Sequence, residues 1–253
     1  MKANSIVNTL LIAGAVTLAL ATPAQATLLG RDIDGNAVES NAASAVFLYD
    51  TTLDITWLRD ANYAKTSNYD GDGLMDWNTA NTWADSLKIG KFTTGWRLPT
   101  MVDTGTSGCN FSNAGGTDCG YNVQTTSGTT VYSEMASLWY DTLGNKGYCT
   151  PGTDCTEQSG WGLTNTGDFQ SVQSYDYWSG TEYAPNTDGA WFFGSSDGYQ
   201  DVGYDSQNYA LAVRSGDVAA ASVPEPETLL LALTALAGLG LTRRRQTVGS
   251  LAS

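Results

Sequence analysis

The chain has 253 residues, of which 42% are hydrophobic, and it carries a formal net charge of −14 with no histidine. The absence of histidine excludes Ser-His and Cys-His catalysis and any histidine-ligated metal. The acidic composition argues against nucleic acid as a partner, because the surface would repel it.

The first 26 residues have the pattern of a secretory signal peptide. Lys2 precedes an apolar run over residues 10–20, and Ala24-Gln25-Ala26 supplies the small residues of a cleavage site. We expect cleavage after Ala26. An uncleaved anchor is the alternative, but this run is short for a hydrocarbon core of about 30 Å.

Strands are predicted at residues 27–31, 46–49 and 53–58, followed by a helix. Leu53, Ile55 and Trp57 recur at every second position, which indicates a half-buried strand. Residues 46–49 are expected to pair with it through a short hairpin connection. An amphipathic helix then begins after Asp76, a good N-cap, and ends at Gly90.

The loop before this helix has most of a calcium-binding pattern. Oxygen ligands stand at Asn68, Asp70, Asp72 and Asp76, with Gly73 at the sixth position for the sharp turn. The twelfth position lacks the usual glutamate, so we expect weak Ca²⁺ binding. The alternative is an Asp-Gly turn that only caps the helix.

The four cysteines are expected to form disulfide bonds in an exported protein. Three pairings are possible, and we favour the local one, Cys109 with Cys119 and Cys149 with Cys155, because each pair brackets a short polar loop. A zinc site is the competing interpretation, but the spacing is not Cys-x-x-Cys.

The second half of the domain is predicted to contain one helix and three strands. Ser133 is the expected N-cap of a helix that ends at Gly144. Extended stretches follow at residues 177–183, 190–193 and 209–214. Strands and helices in this order predict an α+β domain with an antiparallel sheet, over residues 27–222.

Residues 223–246 have three parts. Pro224-Glu225-Pro226 precedes an apolar run over residues 229–241, which is followed by Arg243, Arg244 and Arg245. This order closely resembles the PEP-CTERM sorting signal. The resemblance implies transient insertion into the inner membrane and processing by an exosortase, in a Gram-negative bacterium that makes exopolysaccharide. An ordinary C-terminal anchor is the alternative, with the arginines on the cytoplasmic side.

Seven short motifs occur in the order seen in proteins of the Lcl C-terminal domain family. They are Asp54-Ile55-Thr56-Trp57-Leu58, Trp83-Ala84, Trp96-Arg97-Leu98-Pro99-Thr100, Ser133-Glu134-Met135 with Leu143-Gly144-Asn145, Tyr177-Trp178-Ser179 with Thr181-Glu182, Ala190-Trp191 and Ala212-Val213-Arg214. Over residues 46–217 the chain therefore resembles this bacterial family, whose own function is mostly unsettled. The resemblance implies a C-type lectin-like mixed fold with an antiparallel sheet, two main helices and long disulfide-stapled loops.

No catalytic residue is predicted. The fold implied by this resemblance is similar to that of the formylglycine-generating enzymes. Those enzymes need a reactive cysteine pair near the end of the chain, whereas the last cysteine here is Cys155. Two carboxylates would suffice for a glycoside hydrolase, but no spacing selects a pair among Asp176, Glu182, Asp188, Asp197, Asp201 and Asp205.

Non-catalytic binding of carbohydrate, or of another extracellular partner, is the leading hypothesis. Ala184-Pro185-Asn186 keeps part of the triplet that binds sugar in C-type lectins but lacks its carboxylate. Aromatic rings stack on sugars. We assign Trp57, Trp77, Trp83, Trp139 and Trp191 to the core, and Trp161, Tyr175, Tyr199 and Tyr204 to the surface. A matrix protein with no discrete ligand is the second hypothesis, and a carboxylate-based glycan hydrolase is the third.

Overall fold

The computed structural model describes residues 27–105 and 118–219. The predicted signal peptide with Ala24 and Ala26, the sorting residues Pro224, Glu225, Pro226 and Arg243 to Arg245, and Cys109 lie outside the described residues.

The described residues form eleven strands and a few short helices. The strands are β1 Leu28–Arg31, β2 Ala37–Val38, β3 Phe47–Asp50, β4 Ile55–Leu58, β5 Trp96–Arg97, β6 Thr126–Ser127, β7 Thr130–Val131, β8 Asp176–Glu182, β9 Ala190–Gly194, β10 Tyr199–Gly203 and β11 Val213–Ser215. The helices are α1 Tyr63–Thr66, α2 Trp77–Ser86, α3 Glu134–Ala136 and a π-helix, Ser137–Thr142, which continues α3. This is an α+β domain with antiparallel sheets, as predicted.

The largest sheet has six strands in the order β2-β1-β3-β4-β11-β5, and every neighbouring pair is antiparallel. The predicted hairpin is present, with Leu48 opposite Trp57. A second sheet contains β10, β9 and β8 in that order. The β6–β7 hairpin stands apart from both.

Strand β4 is buried on both faces, so the prediction of a half-buried strand is wrong. Ile55 and Trp57 point into one hydrophobic cluster, whereas Leu58 points into the other. Thr56 is also fully buried. Its hydroxyl donates to the carbonyl of Gly216 at 2.7 Å and accepts from the amide of Val218 at 3.2 Å, which compensates for its burial.

Helix α2 begins where the sequence indicates. The Asp76 carboxylate accepts from the backbone amide of Thr79 at 2.9 Å, as an N-cap does. The helix ends at Ser86, four residues before Gly90. Ala80, Trp83 and Ala84 are buried on its inner face, but Trp77 is only partly buried, so its assignment to the core is incomplete.

The predicted second helix is mostly a π-helix. Ser133 caps its start by accepting from the amide of Ala136 at 3.2 Å. Only Glu134–Ala136 is α-helical, and Ser137–Thr142 continues as a π-helix before Gly144, whose φ of +69° ends the segment.

The C-terminal strands differ from the prediction in two places. Residues 209–214 were expected to form one strand, but β11 contains only Val213–Ser215. Strand β10 lies where no strand is predicted, since Tyr199 and Asp201 alternate with Gln200 and Val202 and no apolar face repeats. Its pairing with β9 is a tertiary contact that local sequence does not reveal.

Two ion pairs link distant parts of the chain. Arg97 in β5 binds the Glu134 carboxylate with both guanidinium nitrogens at 2.7 Å, and Glu134 also accepts from the amide of Thr100 at 2.7 Å. Arg31 in β1 binds Asp217 through two nitrogens, at 3.0 and 2.6 Å. Bidentate pairs of this kind are both stronger and more directional than single contacts.

Replacing Glu134 by glutamine should lower the free energy of unfolding by about 2 kcal/mol, because the 7% exposed Glu134 would lose its charge-assisted hydrogen bonds, while Arg97, whose side chain is 32% exposed, stays partly solvated. Chemical denaturation of the purified protein would measure the loss. Asp188→Asn, a change on the exposed surface, serves as the control. Equal stability of E134Q and the wild-type protein would show that the pair contributes nothing.

Candidate functional site

A concave surface lies between the β8–β9 turn, the residues after β10 and the first turn of α2. It is an open groove of about 600 Å³. Three aromatic residues, Trp77, Trp178 and Tyr204, line it together with polar side chains, including Asp76, Asn78, Glu182, Asn186, Asp188 and Asp205. Aromatic rings surrounded by amide and carboxylate oxygens are typical of a site that binds a polar ligand with apolar faces.

The aromatic residues of the groove are held in fixed orientations. The indole nitrogen of Trp178 donates to the carbonyl of Met75 at 2.8 Å, and that of Trp77 donates to the carbonyl of Ser179 at 2.8 Å. Trp178 lies against Gly203, where an added Cβ would be 2.7 Å from the ring. A side chain larger than hydrogen at residue 203 would therefore clash with the indole of Trp178.

Tyr204 is the exposed ring of the groove, with 45% of its surface accessible. It lies over Gly189, where an added Cβ would be 2.7 Å from the ring. The glycine therefore lets the phenol rest against the β8–β9 turn. The Cδ1 and Cε1 side of the ring is thus held close to the turn, and the exposed area of the ring is available for contact with a ligand.

The carboxylates of the groove differ in their bonding. Asp76 serves as the N-cap of α2, and hydrogen bonds from Thr79 hold its pKa below the ordinary value. Glu182, Asp188 and Asp205 are exposed. Asn186 shapes the turn, because its side-chain oxygen accepts from the amide of Asp188 at 3.2 Å. These groups can accept hydrogen bonds from hydroxyl or amino groups of a ligand.

The predicted surface residues fall into three places. Asn186 and Tyr204 lie in the groove. Trp161 and Tyr199 belong to a second aromatic surface, together with Tyr121 and Tyr148. Tyr175 lies elsewhere, edge-on to Tyr209 with 6.0 Å between ring centroids.

Sequence reasoning missed Trp77 and Trp178 as site residues. Trp77 lies on the apolar stripe of α2, and Trp178 is 1% exposed with its nitrogen bonded inside the protein. Both therefore look like core residues. The available indication was the position of Trp77 directly after Asp76, because the first turn of a helix is often open to solvent.

Three other acidic residues gather around Gly194 and β10, on the same face as Tyr199. Carboxylate oxygens of Asp176 and Asp197 would each lie 3.1 Å from a Cβ at residue 194. Burial, together with the charges of Asp197 and Asp201, raises the pKa of Asp176 to about 6. Burial also raises the pKa of Asp201 above its ordinary value.

The predicted calcium loop is a series of turns. Asp70 accepts from the amides of Asp72 and Gly73 at 3.0 and 2.7 Å, and Asp72 accepts from the amide of Leu74 at 3.0 Å. Gly73 has a φ of +91°, as the sharp turn requires. These bonds match the alternative interpretation, an Asp-Gly turn ahead of a helix.

Within residues 27–105 and 118–219, no three Asp, Glu, Cys or His side chains are grouped so that they could hold a metal ion. Calcium binding by Asn68, Asp70, Asp72 and Asp76 stays a prediction. In the same part of the chain, no helix is both long and apolar enough to cross a membrane.

The disulfide between Cys149 and Cys155 is present, as predicted, and it closes a loop with 4.5 Å between the two Cα atoms. It should stabilise the protein by about 2 kcal/mol in the chain-entropy model, because the loop is short. The pairing of Cys109 with Cys119 stays a prediction.

The chain was compared with protein-family models, with curated proteins and with solved structures, and none of the three comparisons gave a match.

Replacing Asp176 by asparagine should stabilise the protein at neutral pH. Because the folded-state pKa is about 6 and the ordinary value is 3.8, ionisation of Asp176 destabilises the fold as pH rises between about 4 and 6. Melting temperatures at pH 4 and pH 7 would show D176N above the wild type only at pH 7. Asp154→Asn, at an exposed position, is the control. An advantage of D176N that is equal at both pH values would contradict the assignment.

Calcium should raise the melting temperature by a few degrees if the loop binds it. At ten times the dissociation constant, mass action adds about 1.4 kcal/mol. Replacing Asp70 and Asp72 by alanine should abolish the increase, whereas replacing Asp197 and Asp201 should leave it intact. Identical melting curves in millimolar calcium and in chelator would mean that the loop is only a turn.

Proposed function

We propose that this protein is an exported, non-catalytic binding protein whose lectin-like domain holds carbohydrate in the groove. The observation that carries the proposal is the exposed ring of Tyr204, supported on Gly189 and placed beside Asn186 and three exposed carboxylates. A sugar ring has apolar C–H faces and a rim of hydroxyls. An aromatic face can stack on the C–H groups, and hydrogen-bond acceptors around it can bind the hydroxyls.

The position of the groove also supports a C-type lectin-like assignment. Asn186, the last residue of the Ala184-Pro185-Asn186 sequence, and the three residues that follow it form one wall of the groove. The resemblance to the Lcl C-terminal domain family covers nearly the whole described domain. On this proposal the domain presents its long loops as a binding surface on a scaffold of antiparallel strands.

Localisation follows from the two chain ends. We propose export through the predicted signal peptide, transient insertion in the inner membrane through residues 229–241, and release to the cell surface or exopolysaccharide matrix by an exosortase. The disulfide between Cys149 and Cys155 fits an oxidising compartment. The exopolysaccharide or a surface glycan would then be the partner.

Among the alternatives, a hydrolase is favoured less than a binding protein. All four acids of the groove, Asp76, Glu182, Asp188 and Asp205, are exposed to solvent, whereas an acid and a base usually need environments that separate their pKa values. The raised pKa of Asp176 belongs to a different surface. If the protein were a matrix protein without a discrete ligand, the packing of the exposed Tyr204 ring against Gly189 would have no functional explanation.

A glycan array probed with the full-length protein in mild detergent tests the proposal. Tyr204→Ala should weaken binding to the retained glycan about tenfold, which corresponds to about 1.4 kcal/mol, and Asn186→Ala should weaken it as well. Tyr175→Ala removes a similarly exposed ring and should change affinity less than twofold. Retention of no glycan would favour the matrix protein, and release of shortened products from exopolysaccharide would favour the hydrolase.

A further inference from the structure

A row of four aromatic rings lies on a second surface, at the other end of β10 from Tyr204. Trp161, Tyr148, Tyr121 and Tyr199 follow one another, with 5.0, 5.9 and 4.8 Å between successive ring centroids. We call these four residues the aromatic row. They come from distant parts of the sequence, so no local pattern places them together.

The aromatic row is not part of the hydrophobic core. None of its four members belongs to the hydrophobic clusters formed by the described residues. Trp161 is 38% exposed and the other three rings are half-buried. Successive ring planes are tilted by 84°, 44° and 52°, so the solvent-exposed parts of the four residues are a mixture of ring faces and ring edges that a ligand can contact.

The backbone holds the aromatic row in place before any ligand arrives. The amide of Tyr148 donates to the carbonyl of Asp197 at 2.9 Å, next to the Cys149–Cys155 disulfide. Gly120, which precedes Tyr121, exchanges two backbone hydrogen bonds with Gln200, at 2.9 and 3.0 Å. Since the rings are already positioned, binding costs little conformational entropy.

Carboxylates accompany the row along its length. Glu157 accepts from the indole nitrogen of Trp161 at 2.9 Å. Asp197 accepts from the hydroxyl of Tyr121 at 3.2 Å, and Asp201 shares a side-chain hydrogen bond with Tyr199. Lys146, whose backbone pairs with Gly162, adds one positive charge near the Trp161 end.

We propose that the aromatic row is a second binding site, for a polysaccharide whose sugar units carry free amino groups. A succession of four exposed aromatic residues can contact consecutive sugar units of an extended chain, because both ring faces and ring edges pack on the apolar C–H groups of a sugar. The carboxylates beside the rings would pair with ammonium groups on the sugars, and they would repel an acidic polysaccharide. This site is distinct from the groove and stands even if the groove binds nothing.

Oligomers of glucosamine and of N-acetylglucosamine test the proposal, with affinity of the full-length protein measured by calorimetry in mild detergent at pH 6. We expect the glucosamine oligomer to bind at least tenfold more tightly, and increasing salt should weaken it. The double variant Trp161→Ala/Tyr148→Ala should lose at least tenfold in affinity, while Tyr175→Ala, which removes an exposed ring outside both surfaces, should bind like the wild type.

A charge-matched pair of variants separates a specific site from attraction to an acidic protein. Glu157→Gln/Asp197→Asn should reduce affinity and flatten its salt dependence, whereas Asp34→Asn/Asp85→Asn, at exposed positions away from the row, should not. Equal losses in both double variants would overturn the proposal. A second result would also overturn the proposal. If the acetylated oligomer binds as tightly as the glucosamine oligomer, and the Trp161→Ala/Tyr148→Ala variant loses this binding, the ligand is a neutral glycan. Melting temperatures within a few degrees of wild type ensure that each variant is folded.

Discussion

The ion pair between Arg97 and Glu134 is the contact on which the arrangement of the domain most depends. It fixes the edge strand β5 to the start of α3, and it also holds the backbone at Thr100. The adjoining Pro99 carbonyl accepts from the Ser179 hydroxyl at 3.0 Å and from the Gly180 amide at 2.7 Å. The pair therefore locates β8, the strand that supplies Trp178 and Glu182 to the groove.

The three-stranded sheet serves two surfaces at once. Strand β10 carries Tyr199 at its start, beside the aromatic row, and Gly203 at its end, beside the groove. Alternation along β10 places Tyr199, Asp201 and Gly203 on one face of the sheet. A long glycan that follows this face would pass both surfaces, so binding at one would raise the local concentration of the chain at the other.

Sequence patterns predicted the elements whose stability is local. The cap at Asp76 with the stripe of Ala80 and Ala84, and the hairpin of β3 and β4, are present because neighbours along the chain provide their contacts. Burial of Thr56 could not be predicted, since its partners, Gly216 and Val218, come from the far end of the domain. Strand β10 was missed for the same reason.

The candidate sites were predictable only in part. Tyr204 and Asn186 are conspicuous among polar turn residues, so composition indicated them. The aromatic row depends on four separate segments, and Tyr121 and Tyr148 had no feature that linked them to Trp161. Trp77 illustrates the opposite error, because an apolar stripe predicts burial although the first turn of α2 borders the groove.

The pairing of Arg31 with Asp217 affects how the domain can unfold from the side of β11. Asp217 follows β11, and β11 is hydrogen-bonded to β4 on one side and to β5 on the other. For unfolding to proceed inward from residue 219, Asp217 must first separate from the guanidinium of Arg31. Strand β11 must then separate from β4 and β5 at the same time. An edge strand would separate from one neighbour, bond by bond. A protease or a pulling force that acts on this side of the domain therefore first meets a strand held by two neighbours and an ion pair.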